Sequence, residues 1–330
     1  MADKREKIRL ALPIGSLNHA RRGNTCDIIK RAGYAIRGYE PGAESPKPVI
    51  ENHPEIELSI GRPQDFPLKL SEGQCDIAIM GRDWFEEIRS HGVRLVGDLG
   101  YGKVKIVAAV LKSAQYKSVD EFISRNCHDI ELYTEYPNLA KRWFMRKPQY
   151  ARLFSKAAPV IVMHGYKTAS KNLAIRIIET AGQTESFVER KNQMIVENTQ
   201  TGETLKKYGL VELEEIMFSE AGLYRGPSCT DAKQKRAKEI YEMLKGAVAA
   251  PHYLDIWLNV PDSKVTDIIN YAKGNGLCIS EPTVIRPQLG QEYASVHILA
   301  PEENWSKYGY GLKRLGASGL AITTPRQVIE

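Results

Sequence analysis

The stretch that most restricts how this chain can fold is Met194-Ile195-Val196 followed by Glu197-Asn198-Thr199-Gln200-Thr201-Gly202-Glu203-Thr204-Leu205. The short apolar run is of the kind that makes a buried strand, and Leu205-Lys206-Lys207-Tyr208 can open a helical turn. A strand that ends in a polar turn and feeds a helix leaves backbone N–H groups unpaired and pointing one way, which suits a phosphate. Gly202 lets the backbone come close, while Thr201 and Thr204 add hydroxyl donors. Glu197 lies upstream, where a carboxylate can accept hydrogen bonds from sugar hydroxyls. The same residues also read as ordinary helix-start chemistry, with Thr201-x-x-Thr204 as a cap. The stretch alone leaves both readings open.

The remainder of the chain predicts alternating strands and helices. Ile8–Leu12 reads as a first strand, followed by Pro13-Ile14-Gly15-Ser16 and then a helical Asp27–Gly33; a glycine turn after strand one is where α/β folds commonly bind anions. Glu57–Gly61 reads as a strand, then comes a short helix around Leu68–Leu70 ending near Gly73. Cys75–Met80 is a buried strand that stops at Gly81-Arg82-Asp83, placing a cation and a carboxylate at its C-terminal end. A surface turn held by a salt bridge is the plain alternative there. Leu95–Leu99, Val104–Leu111 and Asp129–Tyr133 are further strands, and Gly100-Tyr101-Gly102-Lys103 is a tight loop carrying a lysine. At Thr134-Glu135-Tyr136-Pro137-Asn138, a strand end turns into a helix start, with Asn138 either a donor site or a cap. Apolar spacing at Leu173, Ile177, Ile178 and Ala181 predicts a helix over 170–181; 183–193 reads as a polar loop, and 211–224 as one strand. Gly226-Pro227-Ser228 reads as a domain boundary. Beyond it lie a charged helix over 233–244 and a tail in the order β-α-β-β-α-β, a ferredoxin-like module.

At 330 residues there is material for two or three domains. Five scattered cysteines without CxxC spacing argue against a disulfide framework or structural zinc, and the seven histidines form no paired-ligand pattern. Any metal is expected to be Mg²⁺ carried in with a phosphorylated substrate. A net charge of +6 fits anionic small molecules, and basic residues are not clustered with aromatics, so nucleic acid is not the expected partner. No apolar run is long enough to span a bilayer, and the charged Met1–Lys7 segment is unlike a signal peptide, so a cytoplasmic protein is expected.

Taken together, these stretches resemble the ATP phosphoribosyltransferase family, the first enzyme of histidine biosynthesis, in its long form. The likeness keeps the family's order over most of the chain. It rests on Leu12-Pro13-x-Gly15-x-Leu17, Asp65-Phe66-Pro67, Glu72-Gly73, Asp76–Asp83, Leu99–Lys103, Thr134–Ala140, Thr201–Leu205, Glu281-Pro282-Thr283 and Leu312–Ser318. The resemblance implies an α/β fold: two periplasmic-binding-protein-like α/β domains around a cleft, plus a C-terminal ferredoxin-like, ACT-like regulatory domain. On that basis residues 1–103 with 212–228 would form catalytic domain I, 104–211 domain II with the phosphoribosyl loop, and 229–330 the regulatory domain. It implies transfer of phosphoribose from phosphoribosyl pyrophosphate to N1 of the ATP adenine, with Mg²⁺, inhibition by histidine, and a homo-oligomer (dimer or hexamer). Glu197, Gln200, Thr201, Gly202, Glu203 and Thr204 would hold the phosphoribosyl group. Gly15, Ser16, Arg62, Gly81, Arg82 and Asp83 would line the nucleotide and pyrophosphate side, with Lys103 and Glu197 as catalytic groups.

The chain departs from the family pattern at identifiable places. Ile14 and Ser16 stand where the family usually carries lysine and arginine, and Gln193 aligns with an aspartate. Arg21, Arg190 and Lys191 are the cations that could restore charge. Two other readings share these residues: a phosphoribosyltransferase with a different acceptor, and a non-catalytic nucleotide or amino-acid sensor.

Overall fold

The computed structural model describes residues 6–20, 23–170, 172–286 and 292–329; residues 1–5 of the charged N-terminal segment, and Arg21, lie outside them. The chain divides into two compact units. One comprises Met1–Thr25, Gly38–Val49 and Pro54–Ala237; the other comprises Cys26–Arg37, Ile50–His53 and Lys238–Glu330.

The first unit is built on two mixed sheets. In one, the strand order is Ile56–Gly61, Ile8–Pro13, Ile77–Gly81, Ala221–Arg225, Arg94–Asp98. The first three run parallel, and Ala221–Arg225 is antiparallel to both its neighbours. Every residue of Ile77–Gly81 is buried, as expected of a central strand covered on both faces. Phe66, Leu70 and Tyr224 pack with Ala78 and Met80 on one of those faces.

The second sheet has the order Tyr166–Lys167, Pro159–Met163, Asn172–Glu179, Ile130–Thr134, Gln193–Thr199, Val104–Leu111, Leu210–Ser219. Its core joins Ile106, Leu132, Ile175, Ile177, Met194 and Val196 to Phe122, Phe144 and Tyr150.

Three sequence expectations change here. Residues 172–179 form a strand, parallel to both 130–134 and 159–163, and not part of a helix. Leu173, the anchor of the helical spacing, is exposed, while Ile175 and Ile177 alternate into the core with the period of a strand. Arg176 between them pairs with Asp129 and Glu131 beside it. The run read as one strand over 211–224 is two, Leu210–Ser219 and Ala221–Arg225, in different sheets, broken at Glu220. The polar run over 183–193 contains a 3-10 turn, Thr184–Phe187, with Thr184 and Val188 buried and Phe187 stacked on Tyr133.

The helix Pro137–Phe144 shows how the two sheets are joined. Proline at its first position suits a helix start, but Tyr136 ahead of it provides no side-chain cap. The cap comes from Glu87, on the helix Arg82–Ile88 that follows the first sheet's central strand. One Glu87 carboxylate oxygen accepts from the Asn138 amide at 2.9 Å and from the Asn138 side chain at 2.8 Å; the other accepts from the Leu139 amide at 2.7 Å. Asn138 is therefore neither an open donor site nor itself the cap. Burial raises the Glu87 pKa, against these three donors.

The second unit contains strands Tyr253–Pro261, Thr283–Ile285, Tyr293–Pro301 and Ser318–Thr323 with helices Val265–Gly274 and Glu302–Arg314, in the order β-α-β-β-α-β. The sheet order is 283–285, 293–301, 253–261, 318–323, with antiparallel neighbours throughout. Ile256, Leu258, Val296 and Ile298 meet Ile268, Ala272 and Leu312 in its core.

Removal of the Glu87 carboxylate leaves buried first-turn amides of 137–144 without acceptors. Glu87→Ala is expected to lower unfolding stability by about 2 kcal/mol, and Glu87→Gln by less, because one acceptor oxygen remains. Urea unfolding of both variants against the parent checks this; an unchanged midpoint for Glu87→Ala refutes it.

Candidate functional site

The strand Gln193–Thr199 carries Glu197 near its end and delivers the chain into the turn at 200–202, after which Glu203–Lys207 forms a short helix. Gly202 has φ +70°, a left-handed conformation that glycine adopts without penalty. In this turn the Thr199 hydroxyl accepts from the Gly202 amide at 2.9 Å, and the Thr201 hydroxyl accepts from the Glu203 amide at 3.4 Å. Two main-chain donors are thus held by threonine side chains, and both hydroxyls can rotate when a stronger acceptor arrives.

A cavity of about 670 Å³ opens beside the turn. From the second sheet it is lined by Glu197, Gln200, Thr201, Glu203 and Thr204, and from the first by Gly15, Ser16, Arg62, Gly81 and Asp83. Most of the residues singled out in the sequence therefore meet in one place. Lys103, Arg82 and Gly202 do not line it. Gly102 and Val104 line the cavity, whereas Lys103 between them does not and is exposed. Arg82, between Gly81 and Asp83 at a helix start, lines a different pocket.

Three residues that sequence reasoning did not assign also line the cavity and have a legible signal. Glu135 and Tyr136 follow a parallel strand's C-terminal end, where open sheets bind ligands, and Lys207 lies one helical turn beyond Glu203 and Thr204 on the same face. Glu185, from the polar run, had no signal of its own.

A hydrogen-bonded chain crosses the site. Asp83 is buried, and its carboxylate accepts from Ser219 at 2.8 Å and from the Tyr136 hydroxyl at 2.8 Å. Tyr136 in turn accepts from the Asn198 side chain at 3.1 Å. Glu197 accepts from the Asn198 amide at 2.8 Å and from its side chain at 2.9 Å. A Cβ on Gly81 would lie 2.1 Å from the Asp83 carboxylate, so this approach requires glycine there.

Burial raises the Asp83 pKa, opposed by the Ser219 and Tyr136 hydroxyls. Glu197 is pushed up to about 7, first by burial and then by the Glu135 and Glu185 carboxylates, against hydrogen bonds from Thr184 and Asn198. Glu135 is also raised by burial, with Arg62 pulling the other way.

The lining is acidic: Asp83, Glu135, Glu185, Glu197 and Glu203 against Arg62 and Lys207. Arg190 adds no charge to the cavity, because it pairs with Glu131 at 2.6 Å, and neither it nor Lys191 lines the site. Gln193 is structural. Its carbonyl oxygen accepts from the Glu189 and Arg190 amides at 2.8 Å each, and its amide donates to Glu131 at 2.7 Å. An aspartate at that position would set a second carboxylate against Glu131. Among the described residues, no group of three or more His, Cys, Asp or Glu could hold a metal ion.

Comparison with known proteins adds the family. The family model described as ATP phosphoribosyltransferase matches residues 62–246, more than half of the chain. A curated ATP phosphoribosyltransferase of Solidesulfovibrio magneticus is 27% identical over 330 residues, covering 98% of each chain. Another, from Methanopyrus kandleri, is 25% identical over 303 residues, covering 92% of this chain and 93% of its own. Among solved structures, the ATP phosphoribosyl transferase (HisG:HisZ) complex from Thermotoga maritima superposes with a TM-score of 0.51 at 20% identity, over 73% of this chain and 98% of that one, a likeness of fold. A cleft that gathers the sequence-singled residues, and a family match running through them, lead to one conclusion: the chain belongs to the ATP phosphoribosyltransferase family.

Proposed function

We propose that the cavity joins the ribose C1 of phosphoribosyl pyrophosphate to N1 of the ATP adenine, releasing pyrophosphate, as the first step of histidine biosynthesis. The observation that carries this reading is the convergence of Glu197, Thr199, Gln200, Thr201, Glu203 and Thr204 with Gly15, Arg62 and Asp83 on one cavity. The C1–O bond to pyrophosphate breaks while the N1–C1 bond forms with inversion, and the adenine 6-amino proton can leave later to solvent. Positive charge grows on the ribose and negative charge on the departing pyrophosphate, so catalysis is positioning and electrostatics.

On this reading the 5′-phosphate takes the Gly202 and Glu203 amides now held by Thr199 and Thr201, whose hydroxyls turn to donate. Glu197 accepts from the ribose hydroxyls, fixed by Asn198 and Tyr136, and Arg62 faces the pyrophosphate. An acid-rich lining with two cations is poorly matched to bare polyphosphates, and substrates carrying Mg²⁺ answer that mismatch. The terminal β-α-β-β-α-β unit then serves as an ACT-like module responsive to histidine, in a homo-oligomer, dimer or hexamer. A cytoplasmic enzyme fits this chemistry, and no helix among the described residues is long and apolar enough to cross a membrane.

Ile14 and Ser16 line the cavity in place of the usual lysine and arginine, which favours a second reading, transfer to another acceptor. Pyrophosphate release measured with ATP and with a panel of other purines and pyrimidines decides between them. Release with ATP alone is expected. Release only with another acceptor overturns the choice of ATP, and no release with any acceptor overturns the enzyme reading.

Glu197 gives a pH signature. Its folded pKa of about 7 lies above the ordinary 4.5, so the folded chain binds this proton more tightly than the unfolded one. Stability should therefore fall as pH rises through that window, by roughly 3 kcal/mol in all. Ribose binding needs the carboxylate, so kcat/KM for phosphoribosyl pyrophosphate is expected to rise about tenfold per pH unit up to about 7 and then level. Glu197→Gln should lose most activity and flatten this limb; a parent profile without the limb refutes the assignment.

At Gly202 a side chain would meet nothing within 4 Å, so the cost of Gly202→Val is conformational, arising from its positive φ. That variant is expected to raise KM for phosphoribosyl pyrophosphate at least tenfold, and unchanged Michaelis constants would refute a role for the turn.

A further inference from the structure

A second pocket, of about 580 Å³, shares no lining residue with the catalytic cavity. It lies where the helices 82–88 and 137–144 meet the end of the strand 210–219. Five cations line it, Arg82, Arg89, Arg142, Arg146 and Lys147, against one carboxylate, Glu86.

Three of these cations are already engaged. Arg89 pairs with Glu86 at 2.7 Å. Arg142 donates to the carbonyls of Glu86 and Glu87. Lys147 pairs with Glu214, which also accepts from the Trp143 indole at 2.9 Å. Among the described residues, the guanidiniums of Arg82 and Arg146 make no hydrogen bond or ion pair. Burial lowers the Arg142 pKa, and the Arg89 and Arg146 charges lower it further, as expected where cations are gathered without enough anions.

The remaining walls are Leu139, Trp143, Ile216, Met217 and Phe218. Phe218 leaves 46% of its surface to solvent, an aromatic face without a partner on that side. Surplus guanidinium charge beside an apolar, aromatic wall matches a phosphorylated molecule that carries a planar ring. A volume of this size also exceeds what a single phosphate needs.

We propose that this pocket is a second ligand site, in which phosphate groups sit between Arg82 and Arg146 and a planar ring lies on Met217 and Phe218. The occupant touches helices from both halves of the first unit and the strand leading back between them. It therefore favours whichever arrangement of those halves holds Arg82 and Arg146 close together. The inference does not depend on which acceptor reacts in the catalytic cavity.

Calorimetric titration of the full chain with ADP, and separately with inorganic tripolyphosphate, tests it. The parent should bind two equivalents of ADP per chain, and Arg146→Glu one. Arg146 is exposed, so this variant should fold, and its kcat and KM for both substrates should stay within twofold of the parent. Arg146→Lys should retain the second equivalent with affinity reduced less than tenfold. One equivalent in both parent and Arg146→Glu, or two in both, overturns the site. A change of oligomeric mass in Arg146→Glu with unaltered ADP binding overturns it in favour of a protein interface. Tripolyphosphate binding as tightly as ADP overturns the role of the ring wall, whereas ADP binding at least tenfold tighter supports it. Because the readout is the one equivalent lost on Arg146→Glu, it stands even if the catalytic cavity takes no ADP and the pyrophosphate-release assay fails, the parent then binding one equivalent and Arg146→Glu none.

Discussion

The carboxylate of Asp83 ties the two walls of the larger cavity to each other. It begins the helix after the first sheet's central strand, yet both hydroxyls it accepts, from Ser219 and Tyr136, belong to the second sheet's strands and turns. A buried carboxylate without donors would cost several kcal/mol, whereas two short hydroxyl donors make the same burial tolerable. Through Tyr136 and Asn198 the constraint reaches Glu197, so the group expected to meet the ribose is oriented from the opposite wall. Gly81 is the condition for this arrangement, because any side chain there would occupy the space of the Asp83 oxygen.

Adjacent residues on the helix 82–88 serve opposite electrostatic surroundings. Asp83 faces a cavity rich in carboxylates, and Arg82 a pocket rich in guanidiniums. Glu86 and Glu87 divide in the same way: Glu86 offsets Arg89, and Glu87 binds the first turn of 137–144. Substitutions along this one helix therefore act on different sites according to which side they face, and sequence proximity is a poor guide to their effect.

Much of the cavity could be read from the sequence because its residues follow strand ends, where polar and glycine turns interrupt apolar runs. Gly15, Gly81, Asp83 and the 197–204 stretch all have that local signature. The parts that escaped depend on distant partners. Residues 172–179 carry isoleucines that fit a helical or an extended period, and pairing with 130–134 decides between them. Nothing local marks Glu87 as the cap of a helix fifty residues away. Gln193 looked like a lost aspartate, and becomes intelligible only beside Glu131. Lys103 had the right charge and neighbours, but it is exposed and does not line the cavity. The break at Glu220 was hidden because both strands around it are apolar enough to read as one.

That break has a consequence for how the molecule is made. Ala221–Arg225 fills the gap between Ile77–Gly81 and Arg94–Asp98, and the whole second sheet is encoded between those strands and this one. On the ribosome, the half that is synthesised first is the last that can close. Its most apolar strand keeps one bare edge until residue 225 has emerged, an invitation to mispairing that a folding helper would have to shield.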